Sequence, residues 1–241
     1  MHTPPAASLL DLVERGYRQP PAYRALLLLA AAMPETPMER LAELPIGARN
    51  GCLLRLRLRL FGPDLAIVAP CPACGELLDL GLDARDLLAD ERASPTGKLR
   101  ARGYSLDYRL PTSLDLLDLP NGPALAARRQ VLQGCVTRAR KKGAEVDAGE
   151  LPDEVLDALD RRLAEVDPQA VTELSLTCPV CDHGWSAPFD IASFLWAELE
   201  HWAQRCVLEV HRLASTYGWS ESDILALSPG RRRAYLELVP A

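Results

Sequence analysis

Two Cys-Pro-x-Cys turns contain the residues of this sequence that are best suited to bind a metal ion. The first turn contains Cys71 and Cys74, and the second contains Cys178 and Cys181. Two thiolates separated by two residues can occupy two corners of a tetrahedron, and a structural zinc site needs four such corners. The two turns together therefore predict one structural Zn²⁺ ion as the cofactor of this chain.

The cysteine pairs also admit other interpretations. A thioredoxin-like redox pair fits poorly with two copies in matching frames, and disulfides fit poorly with a chain that looks cytosolic. A third alternative is a decayed site in which the cysteines are only buried core residues. His183, close behind Cys181, could act as a substitute ligand, although four cysteines already complete the site. We favour the zinc interpretation.

Each cysteine pair belongs to a longer repeat. Asp83 follows Cys71 by twelve positions, and Asp190 follows Cys178 by the same twelve. Each copy predicts a strand, a tight turn, a return strand and a helix capped by the aspartate. A metal shared by both copies would close a loop whose entropic cost is roughly 4 kcal/mol. A structural zinc ion contributes on the order of 10 kcal/mol or more, so zinc binding would exceed the cost of closing this loop.

Helical patterns dominate the rest of the chain. Apolar spacing and caps predict helices over 8–16, 22–33, 38–44, 113–119, 124–140, 153–166, 190–217, 221–227 and 231–239. An Arg-Gly dipeptide at 102–103 predicts a β-hairpin, and the polar stretch 141–149 predicts a loop. In 53–60 Leu alternates with Arg, which indicates a strand by period but a helix by propensity. We favour the helix.

These patterns predict a mainly α protein with a small β component. At its centre we expect a split zinc-ribbon-like core of two strand–Cys-Pro-x-Cys–strand–helix units, flanked by helices. The segments are an N-terminal helical part (1–63), the first zinc-knuckle unit (64–90), a hairpin and helical insert (91–170), and the second unit with the C-terminal helices (171–241). Together they are expected to form one compact domain.

Composition and charge restrict the function. The net charge of −6 argues against a general nucleic-acid binder. Seven cysteines suit a reducing compartment, and Cys52, Cys135 and Cys206 stand apart from the pairs as small core residues. The N-terminus lacks the basic start of a signal peptide, and the longest apolar run, 25–33, is too short to span a membrane. We therefore expect a cytoplasmic protein without membrane contact.

Two stretches resemble a known family. One runs from Leu44-Pro45-Ile46-Gly47 through Phe61-Gly62-Pro63 into the first cysteine turn, and the other is the ending from Tyr217-Gly218-Trp219-Ser220 to Leu238. Together they resemble the baseplate hub assembly proteins, or chaperones, of T-even-like phages and of contractile injection systems. The resemblance implies an assembly role without chemistry, with other baseplate or tail proteins as partners. It also implies that the protein is either released after assembly or retained in the finished particle.

The sequence therefore predicts a non-enzymatic assembly factor or minor structural component of a phage-like baseplate. The alternative is a zinc-ribbon nucleic-acid-binding or transcription-related protein, although the residues around the turns, Glu76, Asp79 and Asp182, are acidic. An enzyme is a third class, but a catalytic zinc keeps an open coordination position, which four cysteines would close. We therefore expect no catalytic residues, no small-molecule substrate and no nucleic acid partner.

Overall fold

The computed structural model describes residues 1–89, 94–119 and 122–239. Helices account for 55% of the described residues and strands for 21%, the strands forming small antiparallel sheets. These proportions confirm the prediction of a mainly α protein with a small β component.

The helices of the described residues follow one another in chain order. They are α1 (Ala6–Gly16), α2 (Pro21–Ala32), α3 (Met38–Ala42), α4 (Ile46–Phe61), α5 (Ser113–Leu117), α6 (Ala124–Cys135), α7 (Asp153–Val166), α8 (Ile191–Tyr217), α9 (Glu221–Ala226) and α10 (Pro229–Leu238). Short 3₁₀ turns lie at Ala84–Leu87, Ala148–Glu150 and Pro168–Ala170.

The strands form separate antiparallel sheets. They are β1 (Asp64–Pro70), β2 (Leu77–Asp83), β3 (Thr96–Ala101), β4 (Tyr104–Arg109), β5 (Val136–Lys141), β6 (Ala144–Glu145), β7 (Thr172–Thr177) and β8 (Gly184–Phe189). β1 pairs with β2, β7 pairs with β8, and the remaining strands form one sheet in the order β3-β4-β5-β6.

A helical core joins the beginning of the chain to its end. Buried side chains of α1, α2, α3 and α4 pack with those of α8 in one cluster. α2 is apolar on nearly all sides because other helices surround it, and five consecutive residues, 25–29, are each less than 5% exposed. A helix without a polar face is stable in water only when it is buried in this way.

The segment in which Leu alternates with Arg is helical, as predicted from propensity. Leu53, Leu54 and Leu56 are fully buried in α4. Arg57 is also buried, and its guanidinium donates to Glu198 Oε2 at 2.9 Å and to the backbone oxygen of Asp64 at 2.6 Å. This pairing makes burial of the charge tolerable, because the guanidinium recovers the hydrogen bonds that it loses with water.

The insert has a core of its own. α6 and α7 pack on one face of the four-stranded sheet, and the predicted apolar positions of α7, Val155, Leu156, Leu159 and Leu163, are all buried. The Arg102-Gly103 hairpin is confirmed by the register of β3 and β4, in which Ala101 faces Tyr104.

Two predictions within the insert are wrong. The helix expected over 124–140 ends at Cys135, and Val136–Lys141 forms β5, which pairs with β4 and buries Ala139. Cross-strand packing there outweighs local helix propensity. The stretch 141–149, expected to be a loop, contains the β5–β6 turn at Lys142-Gly143. Leu125, near the start of α6, is 74% exposed.

A seam of buried polar groups connects α4 to the turn that precedes β7. The backbone N–H of Gly47 donates to Asp167 Oδ2 at 3.0 Å, and Asn50 Nδ2 donates to the backbone oxygen of Gln169 at 3.1 Å. α4 has no side-chain cap of its own, so Asp167, which is distant in sequence, satisfies one of its open N–H groups. The seam fixes the start of the second cysteine unit against the helical core.

The long C-terminal helix begins and ends where the sequence predicted. Asp190 accepts a hydrogen bond from the N–H of Ala192, and Gly218 ends α8 in the left-handed region at φ 69°. Not every apolar residue of α8 is buried, because Val207 and Leu208 are 56% and 63% exposed. Beyond Ala203 the described residues bury only Cys206 and Leu213 of α8, so one narrow face of that end is covered.

The central arginine of the tribasic run 231–233 near the C-terminus is buried. Arg231 and Arg233 are exposed, whereas Arg232 is 5% exposed. Its guanidinium lies 3.5 Å from Cys206 Sγ and 3.8 Å from Glu209 Oε2. α10 folds back onto α8, so one side of α10 faces the protein. Successive residues of a helix point in different directions, and here the middle residue of the run points inward.

Candidate metal centre

The two cysteine turns lie at the tips of two equivalent β-hairpins. In the first hairpin Leu65 pairs with Leu82, and in the second Thr172 pairs with Phe189. An offset of 107 positions, from Cys71 to Cys178, converts the first register into the second. The repeat seen in the sequence is therefore a repeat of backbone structure, and both hairpins present their turns in the same way.

Both turns have the same hydrogen-bond pattern. The N–H of Cys71 donates to the oxygen of Glu76 at 2.8 Å, and the N–H of Gly75 donates back to the oxygen of Cys71 at 2.9 Å. The second turn repeats this with two bonds of 2.9 Å, from Cys178 to His183 and from Asp182 to Cys178. These bonds leave the two sulfur atoms of each turn directed to one side.

The residue after each cysteine pair has a positive φ. Gly75 has φ 77°, and Asp182, at the equivalent position of the second turn, has φ 55°. A positive φ costs a non-glycine residue free energy, although Asp tolerates it better than most. The second turn therefore adopts the geometry of the first despite some local strain.

The hairpins bring the four predicted cysteines together. All four Sγ atoms of Cys71, Cys74, Cys178 and Cys181 lie within 4.8 Å of one another. The Cys71–Cys181 and Cys74–Cys178 sulfur distances are 3.7 and 3.6 Å. A tetrahedral ion with metal–sulfur bonds of about 2.3 Å separates its sulfur ligands by about 3.8 Å. These separations exceed a disulfide bond length by more than 1 Å and suit a shared metal ion.

Burial divides the four cysteines into two inner and two outer ligands. Cys71 and Cys178 are 2% and 0% exposed, whereas Cys74 and Cys181 are exposed. Beneath the inner pair lies a very small apolar cluster that contains Leu78, with Leu80 and Trp185 packed against it. A core of this size adds little stability, so a metal ion held by the four cysteines would be an effective cross-link between the hairpin tips.

The surroundings shift the pKa values of the thiols of Cys71, Cys74 and Cys181. Desolvation raises the pKa of the Cys71 thiol. Hydrogen bonds from the N–H groups of Cys74 and Ala73 have a larger, opposite effect, so the pKa is lowered to about 7. The N–H of His183 lowers the pKa of Cys181, while the neighbouring Cys74 sulfur and desolvation raise it, to about 12. The pKa of Cys74 is raised as well: the N–H of Glu76 lowers it, but neighbouring sulfur atoms and desolvation outweigh that effect. A metal ion must therefore displace protons when it binds.

His183 does not belong to the ligand cluster of the described residues. Its ring is stacked with that of Trp185, the centroids being 6.2 Å apart and the planes inclined by 13°. The backbone oxygen of His183 instead accepts the turn hydrogen bond from Cys178. The role of this residue is consequently structural, through its main chain.

The aspartates that end the hairpins cap different elements. Asp190 caps the long helix α8, as predicted, but Asp83 caps only the 3₁₀ turn Ala84–Leu87, accepting from Arg85 N at 2.8 Å. The helix predicted after the first hairpin is wrong. Gln169 takes over the local backbone groups, donating to the oxygen of Leu87 at 3.0 Å and accepting from the N–H of Ala89 at 2.7 Å. Helical hydrogen bonds cannot form there at the same time.

Sequence patterns did not reveal the groups that position the hairpins. Asp167 and Gln169 lie in a turn before β7, and their partners are distant in the chain. A polar residue in a turn is ordinarily solvated, so its burial could be found only from the tertiary structure. Asp182 could have been found by aligning the two copies, because it stands where the first copy has Gly75.

Comparison of the chain with protein-family models, with curated proteins and with solved structures gave no significant match. Among the residues that the structure describes, none of the helices is both long and apolar enough to cross a lipid bilayer.

Proposed function

We propose that this chain binds one Zn²⁺ ion through Cys71, Cys74, Cys178 and Cys181, and that the ion joins the two hairpins in a split zinc-ribbon-like arrangement. The observation that supports this is the approach of four sulfur atoms to within 4.8 Å of one another. Four thiolates in a tetrahedron suit zinc, which needs no redox chemistry and accepts this geometry without strain. A site with four protein ligands has no open position for substrate, so the role is structural.

Elemental analysis of the purified chain tests the zinc proposal. We expect about one zinc per chain, and less than about a tenth of that in the Cys178→Ser variant, which removes an inner ligand. Cys52→Ala serves as the control because Cys52 lies in α4, outside the cluster, and it should retain the metal. Wild-type protein that lacks zinc and whose four cysteines all react freely in the native state would contradict the proposal.

We further propose that the protein is a non-enzymatic assembly factor or minor structural component of a phage-like contractile baseplate. Three features support it: the closed ligand set, the resemblance of 44–76 and 217–238 to baseplate assembly proteins, and exposed apolar side chains near the C-terminus. Those side chains are Val207, Leu208 and Leu238, which are 56%, 63% and 72% exposed. Exposed large apolar residues of this kind suit contact with a protein partner.

The structure narrows the choice of contact surface. α2 is buried in the helical core and offers little area for contact with a partner protein. The terminal helices pack on their own chain, because Ile224 is fully buried and Arg232 lies against Cys206. Deleting residues 218–241 would uncover that contact, so point substitutions on the exposed side chains are the better test of a partner surface.

A gene deletion with complementation tests the assembly role. In a host that encodes this chain together with a contractile particle, loss of the gene should prevent baseplate assembly, as seen by electron microscopy. The wild-type gene should restore particles, whereas a Leu208→Asp/Leu238→Asp variant should not. Leu125→Asp is the matched control, because Leu125 is equally exposed but lies on the distant insert. Normal particles without the gene would refute the assembly role and leave the zinc proposal untouched.

A further inference from the structure

The outer face of the four-stranded sheet concentrates positive charge. The strand register places Arg100 opposite Ser105 and Ser105 opposite Arg140, with Lys98, Asp107 and Arg138 in the neighbouring row. All of these cationic side chains are exposed. Two adjoining grooves of 510 and 370 Å³ run across this face. We call it the basic face, and its cations are Lys98, Arg100, Arg102, Arg138, Arg140 and Lys142.

Two of these cations lie in hairpin turns with an unusual backbone. Arg102 and Gly103 have φ 50° and 81°, and Lys142 and Gly143 have φ 51° and 89°. Two successive positive φ values define the turn that Asn-Gly forms most readily. Both turns nevertheless have a long cationic side chain at the first position, at the same end of the sheet. Asparagine would adopt this positive φ with less strain.

Much of the charge on the basic face has no counter-ion among the residues that the structure describes. Lys98 lies 3.8 Å from Asp107, and Glu145 lies 3.1 Å from Arg138 and 3.8 Å from Arg140. Among the described residues, Arg100, Arg102 and Lys142 have no such ion pair. Six cations and two carboxylates leave a surplus of four positive charges on a chain whose net charge is −6. The basic face therefore differs in sign from the protein as a whole.

We propose that the basic face binds an acidic segment of a partner protein. Arginine forks match carboxylates in two-point hydrogen bonds, and opposite charge accelerates encounter. A nucleic acid fits less well, because Tyr104 and Tyr108 are buried against α6 and α7 on the opposite face and leave the outer face without a stacking platform.

A simpler explanation covers only part of this pattern. Charged side chains on an edge strand such as β3 discourage unwanted pairing with other sheets. That role accounts for Lys98 and Arg100, but it does not account for the strained cations in the two turns. The proposal requires neither the zinc ion nor the baseplate assignment, since the insert has a separate hydrophobic core.

Binding of fluorescent poly-L-glutamate to the full-length protein, followed by anisotropy at about 50 mM salt, tests the proposal. We expect binding that weakens with salt and that falls at least about tenfold in Arg100→Glu/Arg140→Glu. Arg231→Glu/Arg233→Glu carries the same charge reversal on exposed residues of α10 and should bind as wild type. Equal loss in both variants would mean nonspecific attraction and would overturn the proposal.

A second variant separates binding from folding. Arg102→Asn/Lys142→Asn suits the backbone of both turns, so its melting temperature should equal or exceed that of wild type while poly-L-glutamate binding weakens at least about threefold. Unchanged binding in this variant and in the charge reversal would refute the proposal. So would a single- or double-stranded DNA oligonucleotide of matched charge that binds this face more tightly than poly-L-glutamate, because the partner would then be a nucleic acid.

Discussion

At the scale of single residues, the two cysteine turns form a natural comparison within one molecule. Both adopt the same backbone, yet Gly75 stands at the positive-φ position of one turn and Asp182 at that of the other. A Cβ added at Gly75 would meet no atom within 4 Å, so only its backbone conformation opposes a side chain there. The conformational cost can therefore be measured without a steric clash.

We expect Asp182→Gly to stabilise the metal-loaded protein by about 0.5 kcal/mol, because relief of strain exceeds the extra entropy of glycine in the unfolded chain. The reciprocal change, Gly75→Ala, should destabilise it by about 1 kcal/mol. Thermal unfolding in the presence of excess zinc measures both. Shifts of the same sign in the two variants would contradict this account of the turns.

The acidities of the thiols predict how metal affinity depends on pH. Cys71 has a pKa of about 7 and Cys181 of about 12, and that of Cys74 is raised. Metal-free Cys74 and Cys181 are therefore protonated at neutral pH, and zinc must displace at least these two protons. If the chain binds zinc as proposed, the stabilisation by metal should be present at neutral and higher pH and should be lost as the pH falls below 7.

Titration with a competing chelator between pH 6 and 7 measures this effect. The apparent zinc affinity should fall by at least about a hundredfold per pH unit, one factor of ten for each displaced proton. A chelator whose own proton affinities are known serves as the reference. A zinc affinity that does not change over this range would show that the thiols are already ionised without metal.

At the scale of elements, the contact between α1 and α8 depends on a missing side chain. A Cβ at Gly16 would overlap the ring of Trp196. That ring also donates to Glu200 Oε1 at 2.6 Å and lies beneath the guanidinium of Arg24, 4.9 Å from its centroid. Because these two interactions hold the buried tryptophan in place, it cannot move aside easily.

We therefore expect Gly16→Ala to lower the free energy of unfolding by about 2 kcal/mol, as overpacking of a core does. Gly230→Ala in α10 is the control, because a Cβ there meets no atom within 4 Å, and alanine should be neutral or stabilising in a helix. Urea denaturation followed by circular dichroism compares the two. Equal destabilisation would indicate that glycine is needed at Gly16 for another reason.

At the scale of the whole molecule, the cysteine cluster is separate from the two larger cores. One core unites α1–α4 with α8, and the other lies within the insert, while the hairpins share only a few buried apolar residues. The polar seam through Asp167 and Gln169 and the hydrogen bond from Arg57 to the backbone oxygen of Asp64 attach the hairpins at their bases. Loss of metal should consequently loosen the tips and spare the helices.

Removal of zinc by a chelator should leave the far-ultraviolet circular dichroism nearly unchanged. Hydrogen exchange should accelerate at least about tenfold in 64–83 and 171–190, while α2 and α7 keep their protection. Adding zinc back should restore slow exchange, which excludes irreversible damage as the cause. Cooperative unfolding of the whole chain on metal removal would show instead that the ion supports all three clusters.

The local features of this protein could be predicted from its amino-acid sequence. The cysteine spacing, the repeat of hairpin and capping aspartate, the Arg-Gly turn and the apolar period of α7 each depend on neighbours along the chain, where propensity and side-chain period act. The approach of the cysteine pairs was a prediction from ligand number, and the structure places the sulfur atoms together.

Features that depend on residues far away in the chain are seen only in the tertiary structure. β5 is a strand because β4 lies beside it, Arg232 is buried because α10 folds back onto α8, and the first capping aspartate begins only a 3₁₀ turn because Gln169 takes the next backbone groups. The basic face likewise arises from register, which brings cations from separate strands and turns to one side of a sheet. Cross-strand and interhelical contacts can exceed local preferences of less than about 1 kcal/mol per residue, so sequence pattern alone could not predict them.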